Sequence, residues 1–302
     1  MRVRVRVPAS SANLGPGFDC LGLALDLWNE TTLRVEGRGL NFEIEGEGAE
    51  TIIRSEDNLI IQAMRHLYQK AGQPFPRGLH LTCINRVPLG SGLGSSSSAI
   101  LTGLLSANAF CDSSFSPSAL LAMAAELEGH ADNLAAALWG GLVLVAKQDG
   151  GWLAQTIELP VLDWHIVVVV PRFQLPTRHA RSVLPEVVPL PDAVFNNSRT
   201  ALLVEALRTG NFTLLHSAIH DRLHQPYRLG LIPGADEALR SAQDMGAAAA
   251  LSGAGPSLIA FCQQDASLTA QQMQKAFQAA GLDSRSMFLS VSRKGAEVST
   301  LD

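Results

Sequence analysis

Residues 88–100, "PLGSGLGSSSSAI", place three glycines and four consecutive serines between an apolar, strand-like run and a helix-like one. A flexible linker would be followed by polar sequence, whereas this segment runs directly into "LTGLLSANAF", whose apolar residues fit a buried helix. We therefore predict a loop fixed between two ordered elements. Glycines let backbone N–H groups approach a phosphate, and a helix start favours negative charge, so the loop is suited to bind an anion.

Two well-known nucleotide motifs are absent from this loop. The sequence has no G-x-x-x-x-G-K-[ST] match, and its lysines lie outside the loop, so a Walker A site is excluded. A G-x-G-x-x-G match is also missing, which argues against a dinucleotide-binding fold. The alternative for this loop taken alone is a glycine-rich turn before a serine-capped helix, without a ligand.

The composition indicates a globular protein with a sizeable core. The chain has 302 residues, of which 47% are hydrophobic and 17% charged, and we expect two domains. A net charge of −5 argues against nucleic acid or an anionic membrane as the main partner.

Apolar runs are too short or too often interrupted by glycine to span a bilayer, and no signal-type segment follows Met1, so we expect a cytoplasmic protein. The scattered cysteines suggest free thiols and no disulfide framework.

Hydrophobic periodicity predicts the order of the elements. In the first half it predicts strands at 2–7, 32–35, 40–45 and 79–85, and helices at 58–70 and 117–128. Asp57 and Ser116 are the expected caps of these helices, and Gly72 and Gly129 their ends. After a change of composition at 152–164, it predicts a buried strand "HIVVVV", helices at 192–210, 212–223 and 235–246, two strands within 247–261, and a final helix and strand.

Three histidines offer a different interpretation. His216, His220 and His224 fall at four-residue spacing on one predicted helix face, with Asp221 beside them. Such spacing can bind zinc. No other ligand cluster accompanies them, and we favour a polar helix face near a substrate site.

Two further glycine-rich turns change the interpretation of the loop. Residues 8–25, "PASSANLGPGFDCLGLAL", and 250–261, "ALSGAGPSLIAF", join residues 88–100 in an order and spacing that resemble the three motifs of the GHMP kinase family. The segments "EGHADN" (128–133), "PTRHAR" (176–181) and "QPYR" (225–228) are similar to those of its homoserine kinase branch. The resemblance covers nearly the whole chain.

The resemblance implies a fold, a reaction and two ligands. The fold would be α+β, a two-domain GHMP kinase fold with an N-terminal domain at 1–160, a C-terminal domain at 161–302 and the active site in the interdomain cleft. The reaction would be phosphorylation of the hydroxyl of L-homoserine by ATP with Mg, as in threonine biosynthesis. Another small alcohol as acceptor, or a non-catalytic metabolite sensor, are the alternatives. A homodimer would be unsurprising for this family.

The resemblance also implies the nucleotide and metal residues. Ser96 and Glu128 would bind Mg, with Glu126 as a competing carboxylate, because the helix end at Gly129 leaves the register open. The residues expected to bind ATP are Asn58 near the base, then Pro88, Leu89, Gly90, Ser91, Gly92, Leu93, Gly94, Ser95, Ser96, Ser97 and Ser98 of the loop, and Gly253, Gly255 and Ser257.

The acceptor residues implied by the resemblance would hold both charged ends of an amino acid. Asp19 would bind the ammonium group, and Arg181 and Arg228 would bind the carboxylate. The residues expected to orient the hydroxyl and the chain are Asn13, His130, Asn133 and Thr177, of which Asn133 and Thr177, with Arg181, are the expected catalytic residues.

The resemblance carries one mechanistic consequence. Asn133 occupies the place where some GHMP kinases have an aspartate base, and an amide cannot usefully accept a proton near neutral pH. Catalysis would then depend on in-line positioning and charge neutralisation. Asp132 is the candidate if a base is needed.

Overall fold

The computed structural model describes residues 1–111 and 114–301. Its first part contains β1 (Arg2–Asn13), β2 (Gly17–Val35), β3 (Gly39–Gly46), α1 (Leu59–Ala71), β4 (Gly78–Asn85), α2 (Ser95–Phe110), α3 (Pro117–Glu128), α4 (Asp132–Trp139), β5 (Leu142–Gln148) and β6 (Gly151–Ile157). Its second part contains β7 (His165–Pro171), α5 (Thr177–Ser182), α6 (Leu190–Thr209), α7 (Phe212–Ala218), α8 (Gln225–Leu229), α9 (Ala235–Asp244), β8 (Ala248–Leu251), β9 (Leu258–Cys262), α10 (Ala266–Ala279), β10 (Ser284–Leu289) and β11 (Glu297–Leu301).

The first sheet is built around the alternating strand at the start of the chain. Within the described residues it has seven strands, in the order β11-β1-β2-β4-β3, with β5 paired to the first half of β2 and β6 paired to β5. Val3, Val5 and Val7 are fully buried, as the two-residue period predicts, and they pack against α1–α4. The apolar side of α1 contributes Ile61, Met64 and the rest of one face to the same core.

The second sheet has the order β10-β7-β9-β8, and its strands pair antiparallel throughout. Its central strand β7 is buried on both faces, which explains the uninterrupted run of valines. One face packs against α9 and α10. The other face shares a core with the first sheet, in which Leu23 of β2 and Leu142 of β5 contact the same cluster as Val168 and Phe261. The two sheets are therefore held together by a common hydrophobic core.

The predicted α+β architecture is confirmed. The chain changes sheets between β6 and β7, and β11 then returns to pair with β1 in the first sheet. The division at residue 160 stays a prediction. No helix in residues 1–111 or 114–301 is long and apolar enough to cross a lipid bilayer.

Of the four predicted caps and ends of α1 and α3, three are confirmed and one is wrong. Ser116 caps α3, and Gly72 and Gly129 end α1 and α3 in the left-handed conformation. The cap of α1 is Asn58 and not Asp57, because the Asn58 side chain accepts a hydrogen bond from the N–H of Ile60 at 2.9 Å.

The helix predicted over 212–223 is too long. α7 ends at Ala218, and the chain then turns around the carboxylate of Asp221, which accepts hydrogen bonds from the N–H groups of Leu223, His224 and Gln225. As a result His220 is exposed while His224 is fully buried. The histidines do not share one helix face, so the zinc spacing was a coincidence of sequence.

Candidate active site

The loop before α2 owes its shape to glycines in the left-handed conformation. Gly92 and Gly94 have φ angles of 82° and 72°. A Cβ atom on Gly92 would lie 2.1 Å from the carbonyl oxygen of Ser252, and one on Gly94 would lie 2.3 Å from Oγ of Ser10. The loop is thus packed closely against β1 and the turn between β8 and β9, and only glycine fits there.

The start of α2 presents unpaired backbone donors. Its N-cap is Gly94, which offers no side-chain cap, and Ser98 is the first residue whose N–H bonds back, to the carbonyl of Gly94 at 2.9 Å. The N–H groups of residues 95–97 have no acceptor within the described part of the chain. The positive end of the α2 helix dipole also lies here, so this point is suited to bind the oxygens of a phosphate.

A carboxylate lies beside these donors. Glu128, the last residue of α3, accepts hydrogen bonds from Oγ of Ser96 at 2.5 Å and Oγ of Ser97 at 3.3 Å, and its side chain is only 9% exposed. Glu126 lies elsewhere, on the exposed surface, where it pairs with His66 and Lys70 of α1. The structure therefore brings Ser96 and Glu128 together and leaves Glu126 away from the loop. A carboxylate and a hydroxyl oxygen are ligands that fit Mg²⁺.

A tight turn between β1 and β2 forms the opposite wall. Asn13, Leu14 and Asp19 have positive φ angles of 69°, 50° and 55°, which are unusual for residues with a side chain and cluster at functional sites. The Asn13 amide secures this backbone: it donates to the carbonyl of Gly253 at 2.8 Å and accepts from the N–H of Asp19 at 3.0 Å. The turn thereby holds the Asp19 carboxylate towards the cavity.

Asp19 and Arg181 are brought together and bind each other. The guanidinium of Arg181 donates to both carboxylate oxygens, at 2.6 and 3.0 Å. This hydrogen-bonded pairing raises the pKa of Arg181. The two residues that the family resemblance assigns to opposite ends of an amino acid thus neutralise one another.

Arg228 lies beside this pair and is almost completely buried. Its Nε donates to the carbonyl of Ala180 at 3.1 Å, and its Nη1 donates to Nδ1 of His224 at 3.2 Å and the carbonyl of Gly253 at 3.4 Å. Burial, with the nearby Arg181 charge, lowers the pKa of Arg228 to about 10. Its Nη2 makes no hydrogen bond to any residue that the structure describes, and the side chain lines the cavity.

The start of α4 supplies the floor between the two walls. His130 is hydrogen-bonded through Nδ1 to Asp132 at 3.0 Å, and Asp132 also accepts from the N–H of Asn133 at 2.8 Å. Burial acts to lower the pKa of His130, but the hydrogen bond and charge of Asp132 and the charge of Glu128 raise it. The amide oxygen of Asn133 accepts from Oγ of Ser10 at 2.9 Å. Asp132 is therefore a buried partner of His130.

These groups surround one cavity of about 450 Å³, a size typical of small-molecule sites. It is lined from both halves of the chain. The predicted residues on its wall are Asn13, Asp19, Asn58, Leu89, Gly90, Ser91, Gly92, Gly94, Ser95, Ser96, Ser98, Glu128, His130, Asn133, Thr177, Arg181, Arg228, Gly253 and Gly255.

Four residues predicted to bind ATP lie off this wall, namely Pro88, Leu93, Ser97 and Ser257. The Leu93 side chain is fully buried in the core between the sheets. The Ser257 hydroxyl is buried without a partner among the described residues, while its N–H donates to the carbonyl of Ser91 at 3.1 Å. Ser257 therefore supports the loop from behind. Asn58 lines the cavity, but its side chain is occupied as the cap of α1.

One end of the cavity could not be predicted from the sequence. This end is formed by side chains of β2, β3 and β4 and of the segment after β3, namely Asn29, Thr31, Ile44, Ile52, Ile53, Cys83 and Asn85. Thr31 and Cys83 are direct partners across β2 and β4, so strand alternation places them on one face. To predict this face, one would need to know that two strands more than 50 positions apart pair with each other, and the sequence alone does not show this pairing.

Comparison with known proteins extends over both halves of the chain. Two family models match, GHMP kinases N terminal domain over residues 58–141 and GHMP kinases C terminal over residues 203–279. Homoserine kinase of Moorella thermoacetica is 45% identical over 86% of this chain and 87% of that enzyme. Homoserine kinase of Synechococcus sp. strain CC9902 is 42% identical over 97% of this chain and 95% of that enzyme.

The fold agrees with these sequence relationships. The crystal structure of homoserine kinase from Cytophaga hutchinsonii superposes with a TM-score of 0.84 at 29% identity, covering 98% of this chain and 97% of that one. The likeness therefore extends over nearly the whole length, including both walls of the cavity.

Proposed function

The chain belongs to the GHMP kinase family and, within it, to the homoserine kinases, and we propose that it transfers the γ-phosphoryl group of ATP to the hydroxyl of L-homoserine. The single observation that carries this proposal is the composition of the cavity. One wall offers unpaired helix N–H groups and a carboxylate, and the other offers an acid and two arginines. These are the groups needed for a nucleotide phosphate and for a small zwitterion.

The nucleotide would bind along the loop and α2. Its terminal phosphates would accept hydrogen bonds from the N–H groups of residues 95–97. Ser96 and Glu128 would hold Mg²⁺, because their oxygens are adjacent and face the cavity. Bound there, Mg²⁺ would neutralise negative charge on the phosphates.

The acceptor would replace the contact between Asp19 and Arg181. Its ammonium group would pair with Asp19, while its carboxylate would pair with Arg181 and the Nη2 group of Arg228. A zwitterion compensates both halves of the broken ion pair. An acceptor with only one charge would leave the other half unpaired, which is costly in a partly buried site.

The phosphoryl transfer would proceed without a strong base. Asn133 and Thr177 line the cavity and would orient the acceptor hydroxyl, and Arg181 would stabilise charge beside it. Asp132 is the alternative base, but its Oδ1 is already engaged by His130 and by the N–H of Asn133. We expect Asp132→Asn to retain most of the turnover, and a loss of about a thousandfold or more would instead indicate base catalysis.

The test is an acceptor panel. Purified protein with Mg-ATP should release ADP with L-homoserine and much more slowly with L-serine, L-threonine, mevalonate or galactose. Arg228→Ala should remove most of the activity with L-homoserine, because the acceptor carboxylate loses a partner. Tight ATP binding without turnover on any acceptor would contradict the proposal and favour a metabolite sensor.

The cytoplasmic location and the homodimer stay predictions.

A further inference from the structure

We call the side of the cavity formed by Asp19, Arg181 and Arg228 the acceptor wall, and the side formed by the loop and α2 the nucleotide wall. His224 lies directly behind the acceptor wall and is fully buried. It does not line the cavity, so the proposed reaction gives it no direct role. Its ring stacks on Phe18, with centroids 5.1 Å apart, and Phe18 in turn lies under the guanidinium groups of Arg181 and Arg228. The imidazole is therefore in the layer that supports the acceptor residues.

The two hydrogen bonds of the ring define one protonation state. Nε2 lies 2.7 Å from the carbonyl oxygen of Gly15, which can only accept, so Nε2 carries the proton. Nδ1 lies 3.2 Å from Nη1 of Arg228, which can only donate, so Nδ1 carries a lone pair. Burial lowers the pKa of His224, which is consistent with this neutral form.

These two partners belong to the two sides of the acceptor site. Gly15 is part of the turn that carries Asn13 and Asp19, and a Cβ at Gly15 would lie 2.0 Å from the carbonyl oxygen of Ile219. The turn thus packs directly against the segment leading to His224. Arg228 is the cation on the other side, and His224 is one of three acceptors that fix its guanidinium.

The backbone around His224 is itself held rigidly. The fully buried carboxylate of Asp221 accepts from the N–H groups of His224 and Gln225, and also from the Asn196 side chain at 2.7 Å. The same Asn196 amide donates to the carbonyl of Pro16 at 3.2 Å. The imidazole is therefore mounted on a scaffold that contacts the turn at a second point.

We propose that His224 is a positioning residue for the acceptor: its neutral imidazole fixes the Asp19 turn and the Arg228 guanidinium relative to each other. The inference rests on the proposed function, because it requires that these groups bind a zwitterion. Loss of the ring hydrogen bonds should weaken acceptor binding while leaving the nucleotide wall intact. The loop and α2 make no contact with His224 through either ring nitrogen.

Three variants separate the two halves of this role. His224→Phe keeps a ring to stack on Phe18 but removes both hydrogen bonds. His224→Asn can place an acceptor near the position of Nδ1, and His224→Gln can place a donor near the position of Nε2. The exposed His220 provides the matched control, His220→Gln.

Steady-state kinetics should separate acceptor from nucleotide effects. In His224→Phe we expect the KM for L-homoserine to rise about tenfold or more, because Arg228 and Gly15 each lose a buried partner. The KM for ATP should be unchanged, and the Asn and Gln variants should recover part of the loss. The control should match the wild type in both values. Equal rises in both KM values, or unchanged KM values with only a lower Tm, would overturn the inference.

A spectroscopic readout is independent of turnover. In ¹H–¹⁵N spectra of the whole protein, the His224 ring should be neutral with its proton on Nε2. A proton on Nδ1, or on both nitrogens at neutral pH, would overturn the assignment. The kinetics also distinguish the two proposals: no turnover of L-homoserine by the wild type contradicts the proposed function, whereas normal wild-type turnover with an unchanged KM in His224→Phe contradicts this inference alone.

Discussion

The two walls of the cavity achieve their charge preference in different ways. On the wall proposed to bind the nucleotide, the donors are backbone N–H groups of consecutive residues that have no acceptor among the described residues. On the acceptor wall they are side chains from residues far apart in sequence, and Asp19 and Arg181, 162 positions apart, already bind each other. A phosphate site can thus be encoded in one short segment. In the proposed zwitterion site, charges distant in sequence neutralise each other in the ligand-free structure.

The largest expected effect is on the nucleotide wall. Glu128→Gln should lower kcat about a hundredfold or more, because the site loses the negative charge that would hold Mg²⁺ beside the phosphates. Steady-state rates at saturating ATP, over a range of Mg²⁺ concentrations, measure the loss. Glu126→Gln is the matched control, since that carboxylate lies on the surface with His66 and Lys70. A greater loss in the Glu126 variant would show that the metal ligand is misassigned.

The next effect concerns the backbone of the same wall. Gly92→Ala should destabilise the protein by more than about 2 kcal/mol, since its Cβ would meet the Ser252 carbonyl and its φ angle is positive. Gly90 has a similar φ angle, but the nearest atom to a Cβ there is 3.9 Å away. Gly90→Ala should therefore cost only about 1–2 kcal/mol. Urea unfolding of both variants measures the difference, and equal losses would mean that the close approach at Gly92 does not matter.

A smaller effect tests the self-neutralised acceptor wall. Asp19→Asn and Arg181→Gln should each raise the KM for L-homoserine about tenfold, since each removes one charge-assisted contact with the ligand. In the ligand-free protein, the side chains of Asp19 and Arg181 are 40% and 35% exposed. The coupling energy between them, measured from unfolding free energies, should therefore be only about 1 kcal/mol. A double-mutant cycle for stability, with KM for each variant, gives both values. Strictly additive losses of stability would argue against the ion pair in the ligand-free protein.

The smallest effect is a pH dependence behind the acceptor wall. Burial and the Arg228 charge lower the pKa of His224 in the folded protein, although Asp221, the Gly15 carbonyl and Asp19 oppose this. An unfolded histidine titrates near pH 6.5, so below that value only the unfolded chain gains this proton and stability falls as pH decreases. As the pH falls, the unfolding free energy of the wild type should therefore decrease relative to that of His224→Phe, by at most about 1.4 kcal/mol per pH unit. Urea unfolding between about pH 5 and 7 measures this, and a constant difference would contradict it.

Features that are determined by contiguous residues could be predicted from the sequence. The loop at 88–100 could be predicted because its glycines, serines and following helix are contiguous, and the family assignment based on the three glycine turns is confirmed. The choice between Glu128 and Glu126 could not be made from sequence, because both lie near a helix end whose register was undetermined. In the structure, Glu126 forms ion pairs with His66 and Lys70 of α1 at the surface, whereas Glu128 lies beside Ser96.

Two features of the second half of the chain could not be predicted from the sequence. Hydrophobic periodicity predicted too long a helix over 212–223, because it does not register the Asp221 carboxylate, which accepts hydrogen bonds from three N–H groups after α7. The ion pair between Asp19 and Arg181 and the buried state of His224 arise only when the second half of the chain folds against the first turn. No local spacing contains that information.

The most direct test of the two-wall account is a crystal structure with a non-hydrolysable ATP analogue and L-homoserine bound together. The account predicts phosphate oxygens at the N–H groups of residues 95–97, and L-homoserine with its ammonium group on Asp19 and its carboxylate on Arg181 and Arg228. The ion pair of Asp19 and Arg181 should then be broken. An intact ion pair with L-homoserine bound elsewhere, or phosphates away from α2, would contradict it.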